Sequence, residues 1–465
     1  MEKPTHVALV SSPGFTHLVP ITEFSKRLVK HHPNFHVTCI IPSLGPLPES
    51  SKAYLKTLPS NIHTILLPPI NKEQLPQPGI LIQLTITYSL PSIHEILKSR
   101  FSKDPLAALV VDAFACQALE FAKEFNALSY FYFPSSALVL SLLFHAPKLD
   151  KEVSGEYTNL IEPIKLPGCV PVLGIDLPVP LQSRSSEDYK QLLQTAKAMV
   201  AADGIIINTF LEMEPDAIRA LGEYGDGKNK LYPVGPITQK GSSNEADESD
   251  KCLRWLDKQP PCSVLYVSFG SGGTLSQQQI NELACGLELS CQRFLWVLRA
   301  PSNSASSAYL EAAKEDPLQF LPSGFLERTK EKGLVVPLWA PQVQVLSHNS
   351  VGGFLTHCGW NSILESVQEG VPLIAWPLYA EQKMIAVLLT DGFKVALRPK
   401  LNDEGIVEKE EIAKVVKCLM EGEEGKGMCE RMRNLKDFAT NALKDGSSAQ
   451  TLLQLASHWE NFSGI

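Results

Sequence analysis

The sequence predicts an α/β protein built of two doubly wound parallel-sheet domains that face each other across a cleft. Three observations carry that prediction. Short apolar, β-branched runs alternate with segments of helical period along most of the chain. Runs such as Ile205-Ile206-Ile207 are apolar on both alternating faces, as strands covered by helices on each side of a parallel sheet must be. The alternation breaks at Gln239–Asp250, QKGSSNEADESD, where Ala246 is the one apolar residue and four are acidic, and then begins again. Such a stretch reads as a linker between two sheets, and 465 residues leave room for two cores.

Taken in order, His6–Val10 reads as the first strand and Leu18–His31 as a helix with Glu23 and Arg27 paired one turn apart. Phe35–Ile41, Ala107–Val111, Ser129–Phe133 and Gly204–Asn208 continue the strands. Leu128–Phe144 is the most apolar stretch, but Pro134, Ser135, Ser136 and Ser141 interrupt it. It is too short to span a membrane and reads as a strand followed by a helix whose apolar face can line a pocket. Beyond the linker come a short helix around Trp255, a strand Ser263–Phe269, a helix Ser276–Leu289 and a strand Phe294–Leu298. Ala300–Pro317 is a long polar insertion expected at the surface, and Glu408–Ser457 reads as helices. The division expected is therefore 1–240, a linker 241–250, 251–440, and a terminal segment 441–465 that returns to brace the first half.

A formal charge of −8 with 20% charged residues speaks against nucleic acid or an anionic membrane surface as partner, since either selects a basic face. A small ligand is expected instead. The start, MEKPTHVALVSSPG, is a first strand and no signal peptide. Ten cysteines without CxxC spacing point to reduced thiols and a cytoplasmic protein, without a zinc site.

The chain is organised around Trp339–Gln382, WAPQVQVLSHNSVGGFLTHCGWNSILESVQEGVPLIAWPLYAEQ. Its strand Val351–Leu355 runs through a glycine turn into a helix with Ile363, Leu364 and Val367 on one face, closed by Gly370 and followed by a strand Val371–Trp376. The first N–H groups of such a helix lack intrahelical partners and favour an anion. His357, Asn361 and Ser362 stand at the same place, Glu365 follows one turn on, and Glu381 and Gln382 follow the next strand. A diphosphate with hydroxyl-bearing groups on either side fits this set. A glycine turn alone occurs in any βαβ unit, so the weight lies on the whole string. The loop Gly270-Ser271-Gly272-Gly273-Thr274 can approach the same phosphates, but Leu275 stands where the dinucleotide fingerprint needs its third glycine. Cys358 is read as a small packing residue of the turn rather than a nucleophile, because no His–Cys pair with an orienting group surrounds it.

All 44 positions from Trp339 to Gln382 resemble the plant secondary product glycosyltransferase box, the signature of plant UDP-sugar-dependent glycosyltransferases. The resemblance implies the GT-B architecture, with two Rossmann-like domains, the first holding the acceptor and the second the UDP-sugar. It implies that Trp339 stacks on uracil with Gln342 at the uridine, that Glu365 holds the ribose hydroxyls, and that His357, Asn361 and Ser362 hold the phosphates, with Ala340 also counted among the UDP-sugar residues; Ser271, read from its own glycine loop, offers the same phosphates a hydroxyl. Trp360, Glu381 and Gln382 are implied to hold the sugar. Glu381 stands where the family more often has Asp, and a closing Gln together with Trp360 goes with glucose.

The same resemblance assigns the chemistry to two residues outside the box. Alone, His17 in the loop Ser11–Pro20 is as readily a cap, and Asp112 after Ala107–Val111 a turn residue. Loops after strands of one parallel sheet open on one edge, however. In the family a His in a PxGHxxP-like loop is the general base and an Asp on a later strand orients it; here Phe15-Thr16 fills the space before His17. The resemblance thus implies an inverting glucosyltransferase that moves glucose from UDP-glucose to a phenolic hydroxyl and yields a β-glucoside, most like the hydroquinone and monolignol glucosyltransferase subgroup. No metal or further cofactor is implied, and a monomer is expected. The alternatives are another UDP-sugar, flavonoid acceptors, or N- or S-acceptors. Two readings of other classes stand beside it: a nicotinamide-dependent oxidoreductase, disfavoured by the missing glycine, and a binding protein without turnover, which has no need of His17 and Asp112.

Overall fold

The computed structural model describes residues 4–47, 49–70, 81–224, 230–239, 246–304 and 315–463. In the first half the strands are β1 (Thr5–Val10), β2 (Phe35–Ile41), β3 (Ile62–Leu66), β4 (Leu106–Asp112), β5 (Leu128–Phe133), β6 (Gly204–Ile207) and β7 (Lys230–Pro233). Their helices are α1 (Phe15–His31), α2 (Glu49–Leu55), α3 (Leu81–Phe101), α4 (Phe121–Glu124), α5 (Ala137–Glu152), α6 (Glu187–Ala201) and α7 (Pro215–Gly222). The seven strands lie in the order β3-β2-β1-β4-β5-β6-β7, and every pairing is parallel.

The second half begins with α8 (Ala246–Leu256), followed by β8 (Val264–Ser268), α9 (Gln277–Ser290), β9 (Arg293–Leu298), α10 (Phe325–Thr329), β10 (Gly333–Pro337) and α11 (Gln342–Leu346). Then come β11 (Val351–Thr356), α12 (Trp360–Glu369), β12 (Leu373–Ala375), α13 (Gln382–Val387) and β13 (Ala396–Leu397). These strands form a six-stranded sheet in the order β10-β9-β8-β11-β12-β13, again parallel. The chain closes with α14 (Lys409–Glu421), α15 (Glu423–Lys444) and α16 (Ser447–Ser463). Two doubly wound parallel sheets are therefore present, as their apolar runs predict.

Each sheet reverses its winding direction at one place, between β1 and β4 in the first and between β8 and β11 in the second. Loops leaving the carboxyl ends of these four strands diverge and open a crevice. They carry Ser11–Gly14, Asp112, Phe269–Thr274 and His357–Gly359. The crevices face each other, because the start of α12 is bonded to the first half: the Trp360 indole N–H donates to the Asn208 carbonyl at 2.8 Å and the Asn361 amide to the Thr16 carbonyl at 3.4 Å.

Several expectations need correction. Glu23 does not pair with Arg27. Its carboxylate accepts from Lys26 at 2.7 Å and from the buried Tyr54 hydroxyl at 2.9 Å, while Arg27 donates to the Leu443 carbonyl at 2.7 Å. The helical period allowed either basic neighbour, and tertiary partners decided. The acidic stretch is not linker throughout, since α8 begins at Ala246; residues 241–245 lie outside the described residues, as does 305–314 of the polar insertion. The strand after Gly370 is shorter than Val371–Trp376 because Pro372 has no N–H for the ladder. Helix α15 continues through position 440 and ends at Lys444.

The terminal helix packs on the first sheet, against β1, β4 and β7. Trp459 is fully buried there, its ring 5.3 Å from that of Tyr130, 6.3 Å from Phe35 and 6.5 Å from Phe24, and Asn34 donates to Glu460 at 2.9 Å. Replacing Trp459 with Ala removes the largest side chain of this contact. It is expected to lower stability by about 3–5 kcal/mol, read as a lower denaturant midpoint in a urea titration followed by circular dichroism; an unchanged midpoint would show that α16 is dispensable to the first half.

Candidate active site

The first part of the site is made where β1 and β4 end. Gly14, at φ +108°, takes the backbone from β1 into α1 by a conformation that only glycine adopts freely, and His17 lies in the first turn. Asp112 ends β4 with no exposed surface. A buried carboxylate needs donors, and three are present. His17 Nδ1 stands 3.1 Å from Oδ2, the Phe114 N–H donates to Oδ1 at 3.3 Å, and the Ser12 hydroxyl also donates to Oδ1. Because the carboxylate only accepts, Nδ1 carries the ring hydrogen and Nε2 keeps the lone pair. Burial alone would lower the His17 pKa, but the charge and hydrogen bond of Asp112, with a further contribution from Glu381, raise it above its ordinary value. The Phe114 ring meets the His17 ring edge to face at 5.2 Å, which holds the imidazole on its second side.

The second part is built around α12. Its start is prepared by Cys358 at φ +66° and by Gly359, and the first intrahelical bond runs from Ile363 N–H to the Gly359 carbonyl at 3.1 Å. The His357 ring is wedged between backbone segments. A Cβ at Gly270 would come within 2.6 Å of it and one at Gly359 within 2.4 Å of its Nε2, so both positions require glycine. Burial pushes the His357 pKa down to about 4, and this imidazole is neutral. Its Nδ1 and the Asn361 Oδ1 are buried without a hydrogen-bond partner among the described residues. Buried polar atoms of that kind call for a partner, and both lie at the helix start.

On the far side, the Gln342 amide donates to Ser362 Oγ at 2.9 Å and to Glu365 Oε2 at 2.6 Å, and Tyr266 donates to its oxygen at 3.4 Å. Burial, opposed by the Gln342 bond, pushes the Glu365 carboxyl up to about 7. Trp339 follows β10 after Leu338 at φ +63° and keeps 41% of its surface exposed, whereas Ala340 is buried. Ser271 is exposed on its loop.

The residues expected around a sugar are placed differently from one another. Glu381 accepts from Ser135 of the first half at 3.2 Å. Gln382 is buried, and its Oε1 accepts from the N–H groups of Leu378 and Tyr379 at 2.9 and 3.0 Å, which leaves the NH2 end as its donor. Trp360 departs from the expectation for its side chain. It is buried, with its indole N–H committed to Asn208, so that N–H is not free to bond a sugar, while its backbone amide lies at the helix start. Ser12 and Phe114 were not singled out from the sequence. Ser12 stands in the loop that carries His17, and a second hydroxyl just past a strand end was its sole signal.

Among the described residues no group of His, Cys, Asp and Glu is arranged to hold a metal ion, and no helix is long and apolar enough to cross a membrane. Residues 244–435 match the family model described as UDP-glucoronosyl and UDP-glucosyl transferase. Over 467 aligned residues, covering 99% of each, the chain is 52% identical to a hydroquinone glucosyltransferase of Rauvolfia serpentina. The structure of Phytolacca americana UGT2 complexed with UDP-2fluoro-glucose and pterostilbene superposes with a TM-score of 0.90 at 46% identity, over 98% of this chain and 99% of that one. A Polygonum tinctorium UDP-glucosyltransferase capable of glucosylating indoxyl, in complex with 3,4-dichloroaniline, gives a TM-score of 0.91 at 47% identity, over 99% of both.

Cys358 is buried, and burial pushes its thiol up to about 12, so it is a turn residue without nucleophilic character at neutral pH. Brief treatment of the folded protein with iodoacetamide is expected to modify the exposed Cys262 and Cys291 and to spare Cys358. Early alkylation of Cys358 by peptide mass mapping would contradict this.

Proposed function

Because the chain belongs to the family of UDP-glucoronosyl and UDP-glucosyl transferases, we propose that it transfers glucose from UDP-glucose to a phenolic hydroxyl, with inversion, to give a β-glucoside. The observation that carries this reading is the His17–Asp112 pair standing across the crevice from the start of α12, with Thr16 and Asn361 in direct contact between the two.

His17 Nε2 takes the proton of the acceptor hydroxyl as the oxygen attacks, and Asp112 stabilises the imidazolium that forms. The leaving diphosphate gains negative charge. The free N–H groups at the start of α12, the neutral His357 and the side chains of Asn361 and Ser362 receive it. Trp339 offers its exposed face to uracil, with Ala340 and Gln342 beside it, and Glu365 accepts from the ribose hydroxyls. Glu381 and the NH2 end of Gln382 meet the sugar, while Ser271 reaches the phosphates from its loop. Attack opposite the departing diphosphate converts an α-linked donor into a β-glucoside. Phe114, edge-on to His17, is an aromatic wall suited to a flat phenol. The acceptor half is 1–240 with the returning helix α16 (Ser447–Ser463), and the donor half runs from α8, which begins at Ala246, to the end of α15 at Lys444. The reading carries with it a cytoplasmic monomer, and turnover is expected to survive dialysis against EDTA.

If His17 is the base, His17→Ala is expected to lower turnover by roughly 10²–10⁴-fold while UDP-glucose still binds. The pH profile gives the finer check. The base works unprotonated, so activity falls as pH drops through a His17 pKa that lies above its ordinary value. Asp112→Asn removes the charge that raises it, and the acid limb of kcat/KM must then move to lower pH as kcat falls. A limb that stays in place would sink the assignment.

Donor binding has its own pH dependence. Accepting two ribose hydroxyls requires the Glu365 carboxylate, and in the free site its pKa is about 7. The Kd for UDP, measured by calorimetry so that His17 chemistry does not enter, is expected to rise as pH falls from 8 through about 6, and to become flat in Glu365→Gln. A flat profile in the parent protein would remove Glu365 from the ribose.

A further inference from the structure

Between β6 and α7 the chain runs through Asn208–Glu214, and both ends of this run hold parts of the site. At its start the Asn208 carbonyl accepts from Trp360, and the Asn208 side chain pairs with the backbone of Ile237, donating at 2.9 Å and accepting at 2.7 Å. At its end stands Glu214, 4% exposed. One carboxylate oxygen accepts from the Ala137 N–H at 3.0 Å and the Thr209 hydroxyl at 2.6 Å; the other accepts from the Leu138 N–H at 3.1 Å.

Ala137 and Leu138 open α5, and Ser136 caps the next N–H, that of Val139, at 3.2 Å. The free N–H groups of this helix start are thus met by protein side chains, with a carboxylate where the helix dipole favours an anion. The helix start is a structural joint whose N–H groups are already bonded and are not left for a ligand anion. What it holds is Ser135, the residue just ahead, 6% exposed, whose hydroxyl crosses the crevice to Glu381 at 3.2 Å.

We propose that Glu214 is a positioning residue for the donor sugar: by fixing the first turn of α5 it holds Ser135 against Glu381, and so sets how the Glu381 carboxylate is presented to the sugar hydroxyls. The proposal rests on the reading that Glu381 meets the sugar. Glu214 acts through Ser135 and touches no substrate. Its effect is therefore confined to ligands that carry the sugar and leaves the uridine and diphosphate contacts alone.

The test compares the dissociation constants of UDP and UDP-glucose, by calorimetry without acceptor, for Glu214→Gln, Glu214→Asp, Ser135→Ala and Glu381→Gln. The amide in Glu214→Gln turns an N–H toward a donor and loses one of the three bonds. UDP-glucose binding is expected to weaken by about two- to tenfold, the worth of one hydrogen bond, with UDP binding unchanged. Glu214→Asp keeps the charge at the helix start and is expected to give the same split with a smaller size, which serves if the amide variant does not fold. Combining Glu214→Gln with Ser135→Ala must cost no more than Ser135→Ala alone, since both act on one contact. Equal weakening of UDP and UDP-glucose, or additive losses, overturns the inference. So does full UDP-glucose affinity in a folded Glu214 variant when Glu381→Gln is impaired, a result that leaves the sugar reading intact. Unchanged UDP-glucose affinity in Glu381→Gln overturns the sugar reading and the inference together.

Discussion

The site depends on holding the start of one helix against the first half of the chain. Helix α12 presents its free N–H groups, and they act on a leaving group only if the base is held close to the same reacting centre. That distance is set by hydrogen bonds from Trp360 and Asn361 to the carbonyls of Asn208 and Thr16. Asn208 lies in the loop after β6 and Thr16 in the first turn of α1, just after β1 ends, where it precedes His17. The far end of α12 is tied as well, since Gln368 donates to the Pro236 carbonyl at 2.9 Å and accepts from Thr238 at 2.7 Å. A helix anchored at both ends cannot drift without breaking bonds at the base or at the linker.

Two histidines in this site show how environment divides one side chain into two roles. His17 sits on a buried carboxylate that itself has three donors, and its pKa is raised. His357 has no charged partner among the described residues; glycine positions let backbone close around it, and desolvation drives its pKa to about 4. The first can hold a proton taken from a substrate, and the second stays a neutral hydrogen-bonding group beside an anion site. Exchanging their surroundings would exchange the roles, so neither role belongs to histidine as such.

Much of the fold was legible in the sequence because parallel strands buried on both faces have to be apolar throughout, and these runs, with glycine at the turns, mark strand after strand. The strand–turn–helix around His357 was legible for the same reason, since Gly370 closes α12 in the left-handed conformation at φ +75°. What stayed hidden is long-range. Period alone put Arg27 beside Glu23, and only the packing of α15 shows that Arg27 serves the Leu443 carbonyl. The family resemblance implied Trp360 as a sugar residue, yet its indole N–H bonds the carbonyl of Asn208, a partner 152 positions earlier. Glu214 carried no signal at all, since a buried acid before a Pro-initiated helix reads as an ordinary helix start.

The return of the C-terminal segment gives the two halves a second connection and bears on how firmly the crevice is set. The chain passes from the first half to the second after β7 and comes back between α15 and α16. At that return the Ser448 hydroxyl donates to the Gly235 carbonyl at 2.5 Å, so the two crossings are joined to each other. Asn208 grips the same stretch two residues on, through Ile237. Two covalent crossings fastened together hold this edge of the crevice at one place, so the two halves stay in register there. Exposed side chains such as Phe114 and Trp339 stand at the rim, while the distance from base to helix start is held by the side-chain bonds of Trp360 and Asn361 to carbonyls of the first half.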